Sequence, residues 1–406
     1  MDLNEDKARR VLVVGLGISG IATALRLHGI GWTPVIVEKA PARRDGGYFI
    51  GLFGAGRISA ERLGVLDGVH DRTPPGAHFD IDRAGNRRSG LGFKDLPGVP
   101  WLMLRGDVER AAFDKLPPEI EIRYSTVPTK IEQDADGVDV TLTGVTDDTS
   151  AIERFDLVVG ADGLRSTVRA LAFGPHEKYL HRMNYMIAAF EFPGTPGDLD
   201  KGDGATLLER GRSMWILPFS DHNPTVLLSY RTDDVDAEFA ESPAERIRAT
   251  FGPEPLGHTL GDAVAAVESA DELIFDSIEQ VHLDSWHRGR VVLVGDAAWC
   301  PTLYSGMGAS AGLCGAELLG TMIATYPDDL PRAFTEWERK LRPYMNLYQK
   351  IGVQQRTFFT PHTRFHTALR RVILFLNSRR VVGAPLRWWT VNNKAARMKE
   401  ADITRV

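Results

Sequence analysis

Two cysteines, Cys300 and Cys314, are all that 406 residues contain. A disulfide framework needs more, and a thiolate metal site needs partners at short spacing. Both are therefore read as reduced thiols of a cytoplasmic protein. Long apolar runs are missing as well. No stretch reaches the ~18 residues of a membrane span. The charged N-terminal MDLNEDKARR leads straight into a four-residue apolar run, which is not the form of a secretory signal. Positive charge is not in surplus: 48 Lys and Arg against 54 Asp and Glu leave a net −6. That argues against a nucleic-acid surface. Metal-ligand clusters and Ser/His/Asp patterns are absent, and His181, His222 and His258 stand isolated. There is no low-complexity tract either. The 40 glycines sit singly or in pairs, mostly at the ends of apolar runs.

What is present is an ordinary globular balance, 43% hydrophobic and 25% charged, with length for two or three domains. Three β-branched runs end in glycine: Val11 to Gly15, Leu157 to Gly160 and Val291 to Gly295. Runs this apolar, without alternation, read as strands buried on both faces of a parallel sheet. One sheet built from all three makes its domain discontinuous. Between Tyr185 and Thr232 the segments YMIAAFEF, TLLERGRSMWILPF and TVLLSYRT read as hairpin-linked antiparallel strands. Another strand starts near Leu273. Ser242-Pro243-Ala244-Glu245 has the capping-box form of a helix start. The expected fold is α/β. A Rossmann-like discontinuous domain with a parallel sheet takes 1–175 and 286–330, an antiparallel-sheet domain takes 176–285, and a helical segment takes 331–406. Arg370 to Trp389 reads as a helix covering the core, with a membrane-surface segment as the alternative.

The strongest motif is VLVVGLGISGIATALRLHGIGWTPVIVEKA. Gly15, Gly17 and Gly20 form GxGxxG between a strand and a small-residue helix, and a second strand ends in Glu38. The first glycine permits the tight turn, the second lets the backbone approach a pyrophosphate, and the third lets helix and strand pack closely. The helix N-terminus offers free N–H groups to phosphates. Glu38 lies at the distance expected of an acid that bonds a ribose hydroxyl. Near the other end, RVVLVGDAAWCPTLYSGMGASAG closes a buried strand with Gly295-Asp296 and continues almost without side chains. A large planar ligand lying on the backbone accounts for both features. A helix plausible from Gly308 would direct its positive end at that ligand. Asp296 also reads as a helix N-cap.

These motifs, with DLVVGADGLRSTVR (Asp156 to Arg169), resemble the class A flavoprotein monooxygenases, the family of para-hydroxybenzoate hydroxylase. The resemblance covers most of the chain. It implies an FAD site at Gly15, Gly17, Ser19, Gly20, Glu38 and Lys39. Arg44, before the glycine-rich Gly46 to Gly56 segment, and Arg105 in LRGDVERAAF would add cofactor contacts. Asp162 and Gly163 match a segment implicated in both FAD and NAD(P)H binding, with Arg165, Ser166 and Arg169 following. Gly295 and Asp296 match the family's third motif, whose aspartate bonds the ribityl chain, and Gly306, Met307, Gly308 and Ala309 would lie against the ring. Two departures stand out. Trp299 replaces a common His, and Met307 and Ser310 replace a common Gln and Asn. The ending KAARMKEADITRV resembles the C-terminal helix of members acting on bulky polycyclic compounds, including tetracycline-inactivating enzymes.

The implied chemistry is flavin-centred, so no catalytic side chain is assigned. The resemblance implies that NAD(P)H reduces FAD, that O2 adds to form a C4a-hydroperoxide, and that an aromatic small molecule of polycyclic or polyketide-like size is hydroxylated. The antiparallel sheet would wall the pocket, with Tyr48, Phe190, Trp215, Leu217 and Tyr304 as substrate-lining candidates. The alternatives are a flavin-dependent halogenase or reductase, or a flavin-binding redox protein without turnover. SMWILPFSD carries one tryptophan where related halogenases carry two.

Overall fold

The computed structural model describes residues 9–43, 46–93, 98–270, 272–361, 363 and 393–405. Arg44 and the Arg370 to Trp389 segment lie outside them. The three glycine-ended runs do share one sheet. Arg10–Val14 pairs in parallel with Leu157–Gly160 on one side and Thr33–Val37 on the other. Leu157–Gly160 pairs in parallel with Val291–Leu293. Glu121–Arg123 and His287–Arg288 form the edges. Val11, Leu12 and Val13 are 0% exposed. Both faces of the sheet are therefore covered, as the absence of alternation required.

A second sheet has seven strands in the order Ile274–Val281, Leu180–Glu191, Thr225–Arg231, Arg212–Leu217, Gly204–Glu209, His78–Ile81 and Arg87–Ser89. The first five pair antiparallel, as the alternation suggested. The last two come from the region assigned to the first domain, and His78–Ile81 pairs in parallel with Gly204–Glu209. These strands are short and polar, so no period-2 signal marks them. A smaller antiparallel sheet, Thr126–Gln133, Val138–Gly144 and Ser150–Phe155, flanks the parallel one.

Pro243–Phe251 starts with the full capping box on Ser242 and Glu245. Gly308–Thr325 is buried along most of its length and packs against Ile18–His28 and Gly54–Arg62. The long helix Leu330–Phe359 buries Trp337, Leu341, Met345 and Tyr348 at 0% exposure, the spacing of one helix face. Among the described residues no helix is long and apolar enough to cross a membrane.

Candidate active site

Three parallel strands deliver three loops to one place. Arg10–Val14 runs into Gly15 to Gly17, Leu157–Gly160 into Ala161 to Leu164, and Val291–Leu293 into Asp296. The crevice beyond the carboxyl ends of such strands is where α/β sheets bind ligands. A cavity of about 350 Å³ opens there, lined by Gly17, Ser19, Arg105, Gly163, Asp296, Gly306, Gly308 and Ala309. Its opposite wall is the second sheet, through Ile187, Ala189, Leu217, Thr225, Leu227 and Ile274. The hairpin strand Phe49–Leu52 and Phe93 close one side, with the Phe49 and Phe93 rings 4.6 Å apart.

The glycine fingerprint behaves as its spacing demands. Gly15 has φ +105°, and a Cβ there would sit 2.6 Å from the Ala161 carbonyl oxygen. A Cβ on Gly20 would sit 2.0 Å from the Gly15 oxygen, so only glycine lets the helix start this close to its strand. Ile18–His28 begins at Gly17 with no side-chain cap. Its Ile18 N–H is held by Glu109, which sequence reasoning missed. Glu109 pairs with Arg105 at 2.6 Å, and its only sequence signal is their i,i+4 spacing. Burial pushes the Glu109 carboxyl up, opposed by Arg105.

Glu38 accepts the Leu16 N–H through Oε2 (2.8 Å) and the Ala40 N–H through Oε1 (2.9 Å). It braces the glycine turn and does not line the cavity, and Lys39 beside it is exposed. Asp162 likewise turns away from the cavity. Its carboxylate accepts the Ser166 hydroxyl at 2.5 Å and the Val168 N–H at 3.1 Å, anchoring the helix Thr167–Ala172. Burial raises its pKa against those bonds. The neighbouring Gly163 faces the cavity, where a Cβ would meet nothing within 4 Å. Arg165 forks onto Asp276 at 2.6 and 2.8 Å, and Arg169, 0% exposed, donates to the Leu164 and Ala297 carbonyls.

Gly295 (φ +66°) caps the short helix Asp296–Trp299, so Asp296 is its first residue and not its cap. The Asp296 side chain is open to the cavity yet ringed by protein, and burial raises its pKa while Arg105 and the Cys300 thiol oppose that rise. Burial and Asp296 together push the Cys300 thiol well above its ordinary range. Gly306 is left-handed at φ +69°. A helix does start at Gly308, and a Cβ there meets nothing within 4 Å. Met307 is 0% exposed with its side chain in the core, so it offers the cavity only backbone. Ser310 Oγ accepts the Phe53 N–H at 3.1 Å instead of facing the cavity.

Of the five aromatic and aliphatic wall candidates, Tyr48 and Leu217 line the cavity. Phe190, Trp215 and Tyr304 do not. Phe190 points through the sheet into the core behind it, because Ala189 takes the cavity face. Trp215 shares a face with Leu217 but packs on Phe359 at 4.9 Å and donates to its carbonyl. Tyr304 stacks on Phe359 and shares a hydrogen bond with Ser229.

The residues fit FAD. A helix start with glycine as its cap residue, its Ile18 N–H alone taken by Glu109, suits a pyrophosphate; a cavity-facing carboxylate suits hydroxyls, and glycines without obstruction suit a flat ring. Fold and site thus define a dinucleotide-binding flavoprotein. Residues 8–326 match the family described as FAD binding domain. A flavin-dependent monooxygenase from an unknown prokaryotic organism is 28% identical over 354 residues, covering 85% of this chain and 88% of its own. Among solved structures, tetracycline destructase Tet(55) is 26% identical with a TM-score of 0.76, over 91% of this chain and 95% of that one. HpxO of Klebsiella pneumoniae, solved with FAD and uric acid, shares the fold at 20% identity and a TM-score of 0.68, over 97% of this chain and 100% of its own. The chain belongs to the FAD-binding-domain family, among the class A flavoprotein monooxygenases.

Proposed function

We propose that this chain uses NAD(P)H and O2 to hydroxylate a bulky, electron-rich aromatic small molecule. The observation that carries the reading is one cavity with two unlike walls. Glycine backbone and Asp296 form one, and the apolar Ile187, Ala189, Leu217, Leu227 and Ile274 form the other. A polycyclic substrate would lie against the apolar wall, where a few polar groups suffice for orientation. The likeness to a tetracycline destructase supports that size class.

Bound FAD would accept a hydride and activate dioxygen. The chain's own residues hold and shield it. Gly17 and the start of Ile18–His28 would take the pyrophosphate, with Arg105 as its positive charge. Glu38 retains acceptor capacity for a ribose hydroxyl while bracing the turn. Asp296 would accept from the ribityl chain. The N-terminus of Gly308–Thr325 would favour negative charge on the ring. Met307 and Ser310 offer no side-chain amide, so ring contacts fall to the backbone of Gly306 to Ala309. Among the cavity-lining residues Tyr48, Arg105, Asp276, Glu279, Asp296 and Cys300 ionise, and none is a histidine.

The test is product mass spectrometry after incubation with FAD, NADPH, O2 and a panel of polycyclic phenols. A gain of one oxygen atom, with NADPH consumption stimulated by the same compound, is expected. NADPH oxidation that no aromatic stimulates overturns the reading.

A further inference from the structure

The helix Lys394–Glu400 packs beside the loop that carries Gly306 and Gly308. Its Lys399 is 5% exposed. The ammonium donates to the Ser305 carbonyl at 2.9 Å and lies 4.5 Å from the centre of the Phe53 ring. Phe53 sits against the same loop: a Cβ on Gly306 would be 3.3 Å from that ring. One buried cation therefore grips both sides of the turn before Gly308. Its neighbour anchors the helix. Glu400 Oε2 accepts from the Gly54 N–H (3.1 Å) and from Arg57 (3.0 Å), capping Gly54–Arg62, which has no side-chain cap of its own. The Tyr348 hydroxyl donates to the Met398 carbonyl at 3.0 Å.

A buried ammonium is costly, and a methionine of similar volume would fill the space without that cost. Strongly perturbed groups of this kind concentrate at functional sites.

We propose that Lys399 is a positioning residue for flavin binding: its charge fixes the turn at Ser305 so that Gly306, Gly308 and the start of Gly308–Thr325 face the cavity. This rests on the reading that sets the flavin ring against those glycines.

Burial lowers the Lys399 pKa to about 8, with Glu400 opposing. Glu400 is the charged group that acts on Lys399 directly; through Glu400 and Asp402 the network continues to Arg57 and Arg62 of Gly54–Arg62, Cys314 and Glu317 of Gly308–Thr325, and Tyr348 of the long helix. Burial carries the Cys314 thiol to about 12 and Tyr348 higher still, and Arg62 holds Asp402 low. Among these groups Lys399 is the one whose charge changes near pH ~8. Because its folded pKa lies below the ordinary 10.5, the unfolded chain holds the extra proton between those values. Its contribution to stability therefore rises with pH across that window, while its grip on the loop falls.

The experiment titrates apoprotein with FAD by flavin fluorescence, from about pH 6.5 to about 9.5, alongside apoprotein melting. A charge-assisted hydrogen bond in this setting is worth about tenfold in affinity. Wild-type FAD affinity is expected to weaken by about that factor as pH rises past ~8. Lys399→Met should bind about tenfold more weakly at neutral pH, without that pH step, and melt no lower than wild type. Lys399→Arg should restore affinity and stay charged at pH ~9. A Met variant that binds as tightly as wild type, or one that loses melting temperature and affinity together, overturns the proposal. If the Met variant does not fold, a flat wild-type affinity profile overturns it alone and the pH step supports it. Wild-type apoprotein that takes up no FAD at any pH sinks the flavin placement instead.

Discussion

At Gly308 a side chain would begin in open space, with no protein atom within 4 Å. Gly308→Val should therefore leave the apoprotein's melting temperature within about 1 °C, since surface-like substitutions cost little. It should nonetheless purify with little or no flavin, read from absorbance. A variant with full flavin content would show that the ring does not lie there. The two cysteines give a second residue-level expectation. Burial, and for Cys300 the Asp296 carboxylate, keep both thiols protonated, Cys314 up to about 12. Iodoacetamide at pH ~8 should label native protein far more slowly than urea-unfolded protein, because the thiolate is the nucleophile. Rapid native labelling of Cys300 would contradict its pairing with Asp296.

Elements explain which residues the sequence could disclose. Gly15, Gly20 and Gly163 are local: the positive φ of Gly15 and Gly163, and the contact of Gly20 with the Gly15 carbonyl, belong to the turn in which each sits, so spacing reveals them. Phe190 and Ala189 are not. Both belong to one strand, and only pairing in the seven-stranded sheet decides which of two neighbours meets the cavity. Aromatic size favoured Phe190, while the sheet gave the position to alanine. Trp215 had the right parity but is covered by Phe359, 144 positions away in sequence. His78–Ile81 joins the sheet through a partner far downstream, which short polar strands do not announce. Helix packing was more readable, because the 3.6-residue spacing of Trp337, Leu341 and Tyr348 marks one face. Trp337 is wholly buried, and its Nε1 donates to the Gly315 carbonyl at 2.9 Å. Trp337→Ala should cost about 3–5 kcal/mol in a denaturant titration, from the cavity and the abandoned carbonyl together. A loss under about 1 kcal/mol would mean the helix repacks freely.

The whole molecule separates two tasks. Cofactor contacts are proposed on loops of the parallel sheet, and substrate contacts on one face of the other sheet. Ala189→Phe should accordingly fill the apolar wall, leave flavin content unchanged, and raise KM for bulky aromatics more than for single-ring ones. Loss of flavin from that variant would show that the walls do not act independently. The strand order has a consequence in time as well as space. The loops at Gly17, Gly163, Asp296 and Gly308 meet only because the Val291–Leu293 strand adds to a sheet begun at Arg10–Val14. A nascent chain emerging from the ribosome lacks half of this site until more than 300 residues have been made. Flavin capture must therefore follow synthesis of most of the protein, and a translation arrest before Gly308 should release polypeptide that carries no cofactor.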